Sequence, residues 1–143
     1  MAPDSANIPQ DERVRFVFGS IIHERILAEI PSILDFAFHL ACYHGNQSSI
    51  ADPLADHENN TLSSLKLFDR LKVLKSLKKV VYAAAACAVA EKTYETAKPT
   101  TEDQPVTLYH DSPYSISKII GELYGNYYFL RYGLPVVKAR FSN

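Results

Sequence analysis

Short runs of branched and aromatic residues alternate along the chain with longer stretches whose apolar positions recur every three to four residues. "VRFVF" (Val14 to Phe18) stops at Gly19 and predicts a first strand. His23 to Ile30, closed by Pro31, predicts a short helix, and "DFAFHLA" (Asp35 to Ala41) predicts a second, buried strand. Leu62, Leu65, Phe68, Leu71 and Leu74 share one helical face, so a longer helix is expected over Asp56 to Leu77. "KKVVYAAAACAVA" predicts a third strand starting near Lys79, and a polar loop runs from Glu91 to Asp111. Ser112 as N-cap, Pro113 at the first helical position and Gly133 as the stop frame a second long helix. Its apolar face carries Ile116, Ile119, Ile120, Leu123, Tyr127 and Leu130, and "LPVVKARF" predicts a fourth strand.

Strands separated by helices imply a parallel sheet with helical crossovers. Parallel strands are buried on both faces, which accounts for their nearly continuous apolar runs. The expected fold class is therefore α/β with a parallel sheet, in residues 11–143 behind a polar tail at 1–10. A length of 143 residues suits one domain with a single core.

Composition narrows the function classes. Hydrophobic and charged shares of 47% and 22% are those of a soluble globular protein. A net charge of -1 points to no nucleic acid and no membrane as partner. Lys72, Lys75, Lys78 and Lys79 interleave with Leu71, Leu74 and Leu77 and read as a solvated helix face. Cys42 and Cys87 lack Cys-x-x-Cys spacing, lie in apolar surroundings and suit the reducing cytoplasm. The N-terminus is polar, with Asp4 and no apolar centre, so no signal peptide is expected. The longest apolar run, Val80 to Ala90, is too short to span a bilayer. His39, His44 and His57, with Asp52, Asp56 and Glu58, fit no tight ligand spacing, and no metal is expected. A Gly-x-Ser-x-Gly nucleophile turn is absent.

The chemistry-bearing stretch is "SPYSISK". A helix places Tyr114 and Lys118 on one face, and Gly121 and Gly125 continue that face with room for close approach. A free phenol near pKa 10 is a poor base, and lowering it to about 7 takes roughly 4 kcal/mol of preference for the phenolate. An adjacent ammonium, helped by a cationic cofactor ring, supplies such a preference. A second Tyr-x-x-x-Lys, Tyr94 to Lys98 in "YETAK", lies in a polar loop before Pro99 with no helix start. Tyr114 is the expected base. "YHGNQSS" (Tyr43 to Ser49), at the carboxyl end of a strand, is a candidate sugar or cofactor contact loop.

"DSPYSISKIIGELYGNYYFLRYGLPVVKARFSN" resembles the "SPYGASK…GE…YGLP…LRFFN" stretch of the extended short-chain dehydrogenase/reductase family. The nearest group is its NAD-dependent nucleotide-sugar epimerases and dehydratases, of the UDP-glucose 4-epimerase type. "FVFGSI", "DFAFHLA", "ENNTLSSLKLFDRL" and "KKVVYAAAACAVAE" resemble that family's third strand, fourth strand, fourth helix and fifth strand, in the right order. The resemblance implies that Tyr114 is the acid/base taking a proton from a sugar hydroxyl while hydride passes to NAD (or NADP). It implies that Lys118 bonds the nicotinamide ribose and depresses the tyrosine pKa. Leu40, Ala41 and Cys42 would line the cofactor, Asn60 would lie near it, and Ser20 and Ile21 would sit beside the adenine. Asn143 would face a nucleotide sugar. The same resemblance allows a homodimer.

Three departures qualify those expectations. The family's hydroxyl-bearing residue at the end of the fifth strand falls on Ala85, flanked by Ala84 and Ala86, and Cys87 is the only weak donor nearby. The five glycines, at 19, 45, 121, 125 and 133, form no Gly-rich phosphate loop. The family's first two strands are likewise unmatched, and the chain stops at "RFSN". The resemblance thus implies an α/β fold that is a partial doubly wound, Rossmann-like parallel sheet lacking the first two strands and the glycine-rich loop. It implies a partial chain carrying the Tyr-Lys half of a site, with cofactor affinity removed by the missing loop. The alternative is a non-catalytic truncated remnant or interaction module that keeps part of the fold.

Overall fold

The computed structural model describes residues 8–43, 45–88, 101, 103–106 and 108–141. Three parallel strands form one sheet: β1 (Phe36–His39), β2 (Lys79–Ala85) and β3 (Val136–Phe141), in that spatial order. Phe36 lies opposite Lys79 and His39 opposite Tyr82; Val80 lies opposite Val136 and Ala85 opposite Phe141. β2 is the central strand, and it buries Val80, Tyr82 and Ala84.

Parallel neighbours need long crossovers. A short α1 (Glu24–Leu27) precedes β1. Between β1 and β2 come α2 (Asn46–Ala51), α3 (Pro53–Asp56), a π-helical stretch (His57–Leu62) and α4 (Ser63–Leu71). Between β2 and β3 lies α5 (Pro113–Tyr132). α5 forms as its caps predict: the Ser112 hydroxyl accepts from the Ser115 N–H, Pro113 opens the helix, and Gly133 closes it at φ 71°. The core joins Leu67, Phe68 and Leu71 of α4 to Val80 and Tyr82 of β2 and Tyr128 of α5. Phe68 meets Tyr82 edge-on and Tyr128 at a tilt, both with ring centroids 5.9 Å apart.

Two expectations are corrected. Val14 to Phe18 is not a strand but an irregular segment, with Phe16 and Phe18 exposed. Branched residues favour extended backbone, yet a strand forms only where a neighbour pairs its amides, and among the described residues this segment has none. The sheet thus has three described strands where four were expected. The helix expected over Asp56 to Leu77 starts earlier and ends at Leu71. The Ser76 hydroxyl donates to the Leu34 carbonyl (3.1 Å) and accepts from the Leu34 N–H (2.9 Å), which draws the chain off the helix axis. Leu74 and Leu77 remain buried all the same, in the turns that follow.

The remaining elements differ less in extent, but their burial differs. Phe36 and Phe38 of the strand expected to be buried are exposed, as are Ile116, Leu123, Tyr127 and Leu130 of the apolar face of α5, which packs on the sheet through Gly121, Gly125 and Tyr128 instead. The expected third strand ends at Ala85 and continues as a 3-10 turn over Ala86–Ala88. "YETAK" lies outside the described residues. Among the described residues, no helix is long and apolar enough to cross a membrane.

Candidate active site

A cavity of about 930 Å³ opens at the carboxyl ends of β1 and β2, beside the first turns of α5. Ligands of open parallel sheets bind at this end of the strands. Leu40 and Cys42 enter it from the segment after β1, Ala83 to Cys87 form the wall from β2, and α5 contributes Tyr114 and Lys118.

The first turn of α5 decides where Tyr114 sits. Pro113 has no N–H to satisfy, and the Ser115 N–H is taken by Ser112. The Tyr114 N–H donates to the hydroxyl of Ser49, a buried residue of α2 (3.1 Å). Ser49 in turn donates to the Asn46 carbonyl (2.8 Å), and the Ser112 hydroxyl donates to Asn46 Oδ1 (3.1 Å). Residues 46–51 form a short helix docked on the start of α5 where a loop was expected, and Gly45, Asn46 and Gln47 of the expected contact segment line the cavity.

One turn on, Lys118 is buried. Its Nζ donates to the Ala83 carbonyl (2.8 Å) and lies 5.6 Å from the Tyr114 ring centroid. This reach depends on Gly121. A methyl group placed there would stand 2.0 Å from Tyr82 Oη, so only glycine lets α5 lie this close to β2. Glu122, also buried, accepts from Arg140 of β3 through two bonds, Nε at 2.9 Å and Nη2 at 2.7 Å. That fork fixes the other side of α5 to the sheet.

The electrostatics differ from the expected depressed tyrosine. Burial pushes the Tyr114 phenol above its ordinary value, and Cys42, Cys87 and Asp56 push it the same way. Burial lowers the Lys118 ammonium, partly opposed by Cys42, Cys87 and Asp56. The raised value leaves Tyr114 a neutral phenol at neutral pH.

The other predicted residues divide. Leu40 and Cys42 line the cavity, and Ala85 forms part of its wall. Ile21 and Ala41, with Leu40, line a separate hollow of about 300 Å³ beside β1. Ser20 lies next to Ile21, where its hydroxyl accepts from the Ile22 N–H (3.4 Å). Asn60 is buried in the π-helical stretch and clamps the chain after β1. Its Oδ1 accepts from the Tyr43 N–H (2.7 Å), while Nδ2 donates to the Tyr43 carbonyl and to Asp56. The widened turn around it is held by Ser63 and Ser64, whose hydroxyls donate to the carbonyls of Asn59 and Asn60. Asn143 and His44 lie outside the described residues. No group of three or more potential metal-ligating side chains is present among the described residues.

A further hollow of about 600 Å³ lies between α1 and α4. Its cations are already engaged: Lys66 donates to the Ile22 carbonyl, and Arg70 to those of Leu27 and Ile30. Those bonds secure the end of α1. The hollow offers no reactive pair.

A parallel α/β sheet with a helix-borne Tyr-Lys pair at its carboxyl edge defines the class, a nucleotide-binding type of fold. Comparison with known families agrees. The model of the NAD dependent epimerase/dehydratase family matches residues 1–143, and the chain belongs to that family. The Bordetella bronchiseptica enzyme WbmF, solved with NAD+, is 51% identical and superposes with a TM-score of 0.80. The match covers 98% of this chain and 38% of WbmF. WbmF has also been solved with NAD+ and UDP. The epimerase Mth375 of Methanothermobacter thermautotrophicus is 33% identical with a TM-score of 0.84, over 98% of this chain and 41% of that one. The UDP-glucose 4-epimerase of Mycolicibacterium smegmatis is 35% identical over 82% of this chain and 36% of its own length. The chain thus spans about two fifths of the length of these relatives.

Proposed function

We propose that this chain carries the acid/base half of an NAD(P)-dependent nucleotide-sugar epimerase or dehydratase site, as one part of a larger assembly of catalytic groups. The carrying observation is that Tyr114 and Lys118 meet in one cavity at the carboxyl ends of β1 and β2. The fit to a dinucleotide is partial. The cavity offers a buried ammonium, a phenol and a small-residue wall suited to a flat ring and its ribose. A Gly-rich turn able to cradle a pyrophosphate is absent among the described residues. When bound, the nicotinamide supplies a hydride acceptor.

The chain's own part is proton handling. Tyr114 Oη exchanges a proton with a sugar hydroxyl. Lys118, fixed by Ala83, presents positive charge to the phenolate as it forms. Because burial raises the free phenol, the added positive charge of an oxidised nicotinamide is what would bring Tyr114 into the range of a working base. A nucleotide sugar as partner accords with the UDP held by WbmF.

One observation favours the rival reading of a binding module that does not turn over. The wall is alanine from 83 to 86, so it offers the reacting hydroxyl no side-chain hydrogen bond stronger than the weak donor of Cys87. A chimera separates the two readings: residues 8–143 replace the matching segment of the Mycolicibacterium smegmatis epimerase, and conversion of UDP-galactose to UDP-glucose is followed. Turnover that falls by about 10²-fold or more in Tyr114→Phe and Lys118→Met supports the proposal. Turnover that ignores both changes refutes it. Cofactor binding without turnover, restored by Ala85→Ser, supports the rival.

A further inference from the structure

We propose that Ser49, anchored by Asn46, is a positioning residue for Tyr114: α2 holds the first turn of α5 so that the phenol stays over Lys118. The inference rests on the reading of Tyr114 as the acid/base and names the device that aims it.

The first N–H groups of any α-helix have no partner inside the helix. In α5 proline removes one of them, Ser112 satisfies the Ser115 and Ile116 N–H groups through its hydroxyl and carbonyl, and the Tyr114 N–H remains. Its acceptor comes from another element, 65 positions away, and that acceptor is fully buried. Ser49 has a single hydroxyl proton, and the bond to the Asn46 carbonyl uses it. Its lone pair is thereby turned toward Tyr114. Asn46 receives a second hydroxyl, from Ser112, on its side-chain oxygen. Ser112 and Ser115 hydroxyls stand 2.9 Å apart, so the clasp is continuous from α2 into the helix cap. All three serines are buried, which shields the Ser49–Tyr114 and Ser112–Ser115 links from water, while Asn46 is exposed and anchors the clasp from the surface.

The consequence for chemistry lies in which groups the clasp does and does not hold. Lys118 is tied to the Ala83 carbonyl of β2 and needs nothing from α2. Tyr114 has its backbone tied to α2. The Tyr-Lys geometry is therefore set by two independent anchors, and loss of Ser49 moves one of them only. With the first turn loosened, Tyr114 gains solvent. Burial is the largest cause holding its phenol high, so its titration midpoint falls toward the ordinary value.

The test reads Tyr114 directly and requires no turnover. With 3-fluorotyrosine placed at position 114, ¹⁹F NMR follows the phenol titration in the otherwise unaltered chain, in Ser49→Ala and in Ser49→Thr. The expected result is a lower midpoint in Ser49→Ala, with Ser49→Thr close to the parent. Equal midpoints in all three overturn the proposal. Amide exchange in the unaltered chain gives a second readout that survives any folding failure of the variants. The Tyr114 N–H should exchange about 10²-fold or more slowly than an unprotected amide. Exchange at the unprotected rate overturns the proposal. Failure of Tyr114→Phe to affect the chimera would remove the acid/base reading and leave these measurements to judge the clasp alone.

Discussion

His39 makes the fold acid-sensitive in a window where few other groups act. It closes β1, is only 4% exposed, and touches the rings of Phe68 and Tyr82. Its Nε2 lies 2.8 Å from the Ser64 hydroxyl, whose own proton is committed to the Asn60 carbonyl. The network therefore assigns a neutral ring with the proton on Nε2 donating to Ser64. A second proton would create a charge in the core, and Lys118 nearby opposes it further. Burial first, and Lys118 second, push the pKa from 6.5 down to about 4. The folded chain thus binds this proton less readily than the unfolded chain. The associated stability is fully present above pH 6.5 and is lost as pH falls toward 4. The gap converts to about 3 kcal/mol in all, with about 2 kcal/mol already lost at pH 5. Urea unfolding followed by far-UV ellipticity at pH 7.5 and pH 5.0 measures it in the parent and in His39→Gln. Glutamine keeps a donor for Ser64 and does not titrate. The parent should lose about 2 kcal/mol more than the variant between the two pH values. Equal losses would show that His39 is not the titrating group and refute the assignment.

Three further outcomes are expected. Gly121→Ala should destabilise by about 1–2 kcal/mol, the overlap with Tyr82 outweighing the helix-propensity gain, and Tyr82→Phe should recover part of the loss in a double-mutant cycle. Glu122→Gln removes the carboxylate from a buried fork and should cost about 3 kcal/mol in urea unfolding, since Arg140 is one-fifth exposed and retains some solvent. Gly133→Ala forces a side chain into the left-handed region at φ 71° and should lower the melting temperature by about 2–4 °C.

Much of this architecture was legible because its signals are local. Ser112, Pro113 and Gly133 bracket α5 within a residue of where it runs, and the apolar runs at β2 and β3 needed only their own composition. The two misread elements failed for one physical reason. Val14 to Phe18 has strand chemistry without a paired neighbour, and Leu74 and Leu77 have helical spacing without a helix. Pairing and the Ser76–Leu34 tether are decided elsewhere in the chain. The candidate site divides the same way. Tyr114 and Lys118 announce themselves by a four-residue spacing on one helix. Ser49 and Asn46 looked like loop residues because their partners lie beyond residue 111, and no local pattern encodes such a contact. The Glu122–Arg140 fork was invisible for the same cause.

The register of the sheet also sets the order in which the chain can fold. Lys79 of β2 meets Phe36 of β1, but the other edge of β2 waits for Val136 to Phe141, with all of α5 lying between. Loop closure of that length is an entropic toll levied before any ladder bond forms, and parallel sheets of high contact order fold slowly. α5 carries its own caps, so it can assemble early as a local unit and dock as a preformed rod. Lys118 would then reach Ala83 only in the docking step. The Tyr114–Lys118 pair is thus among the last features the folding chain completes, and its appearance should lag the helical signal in a stopped-flow refolding experiment.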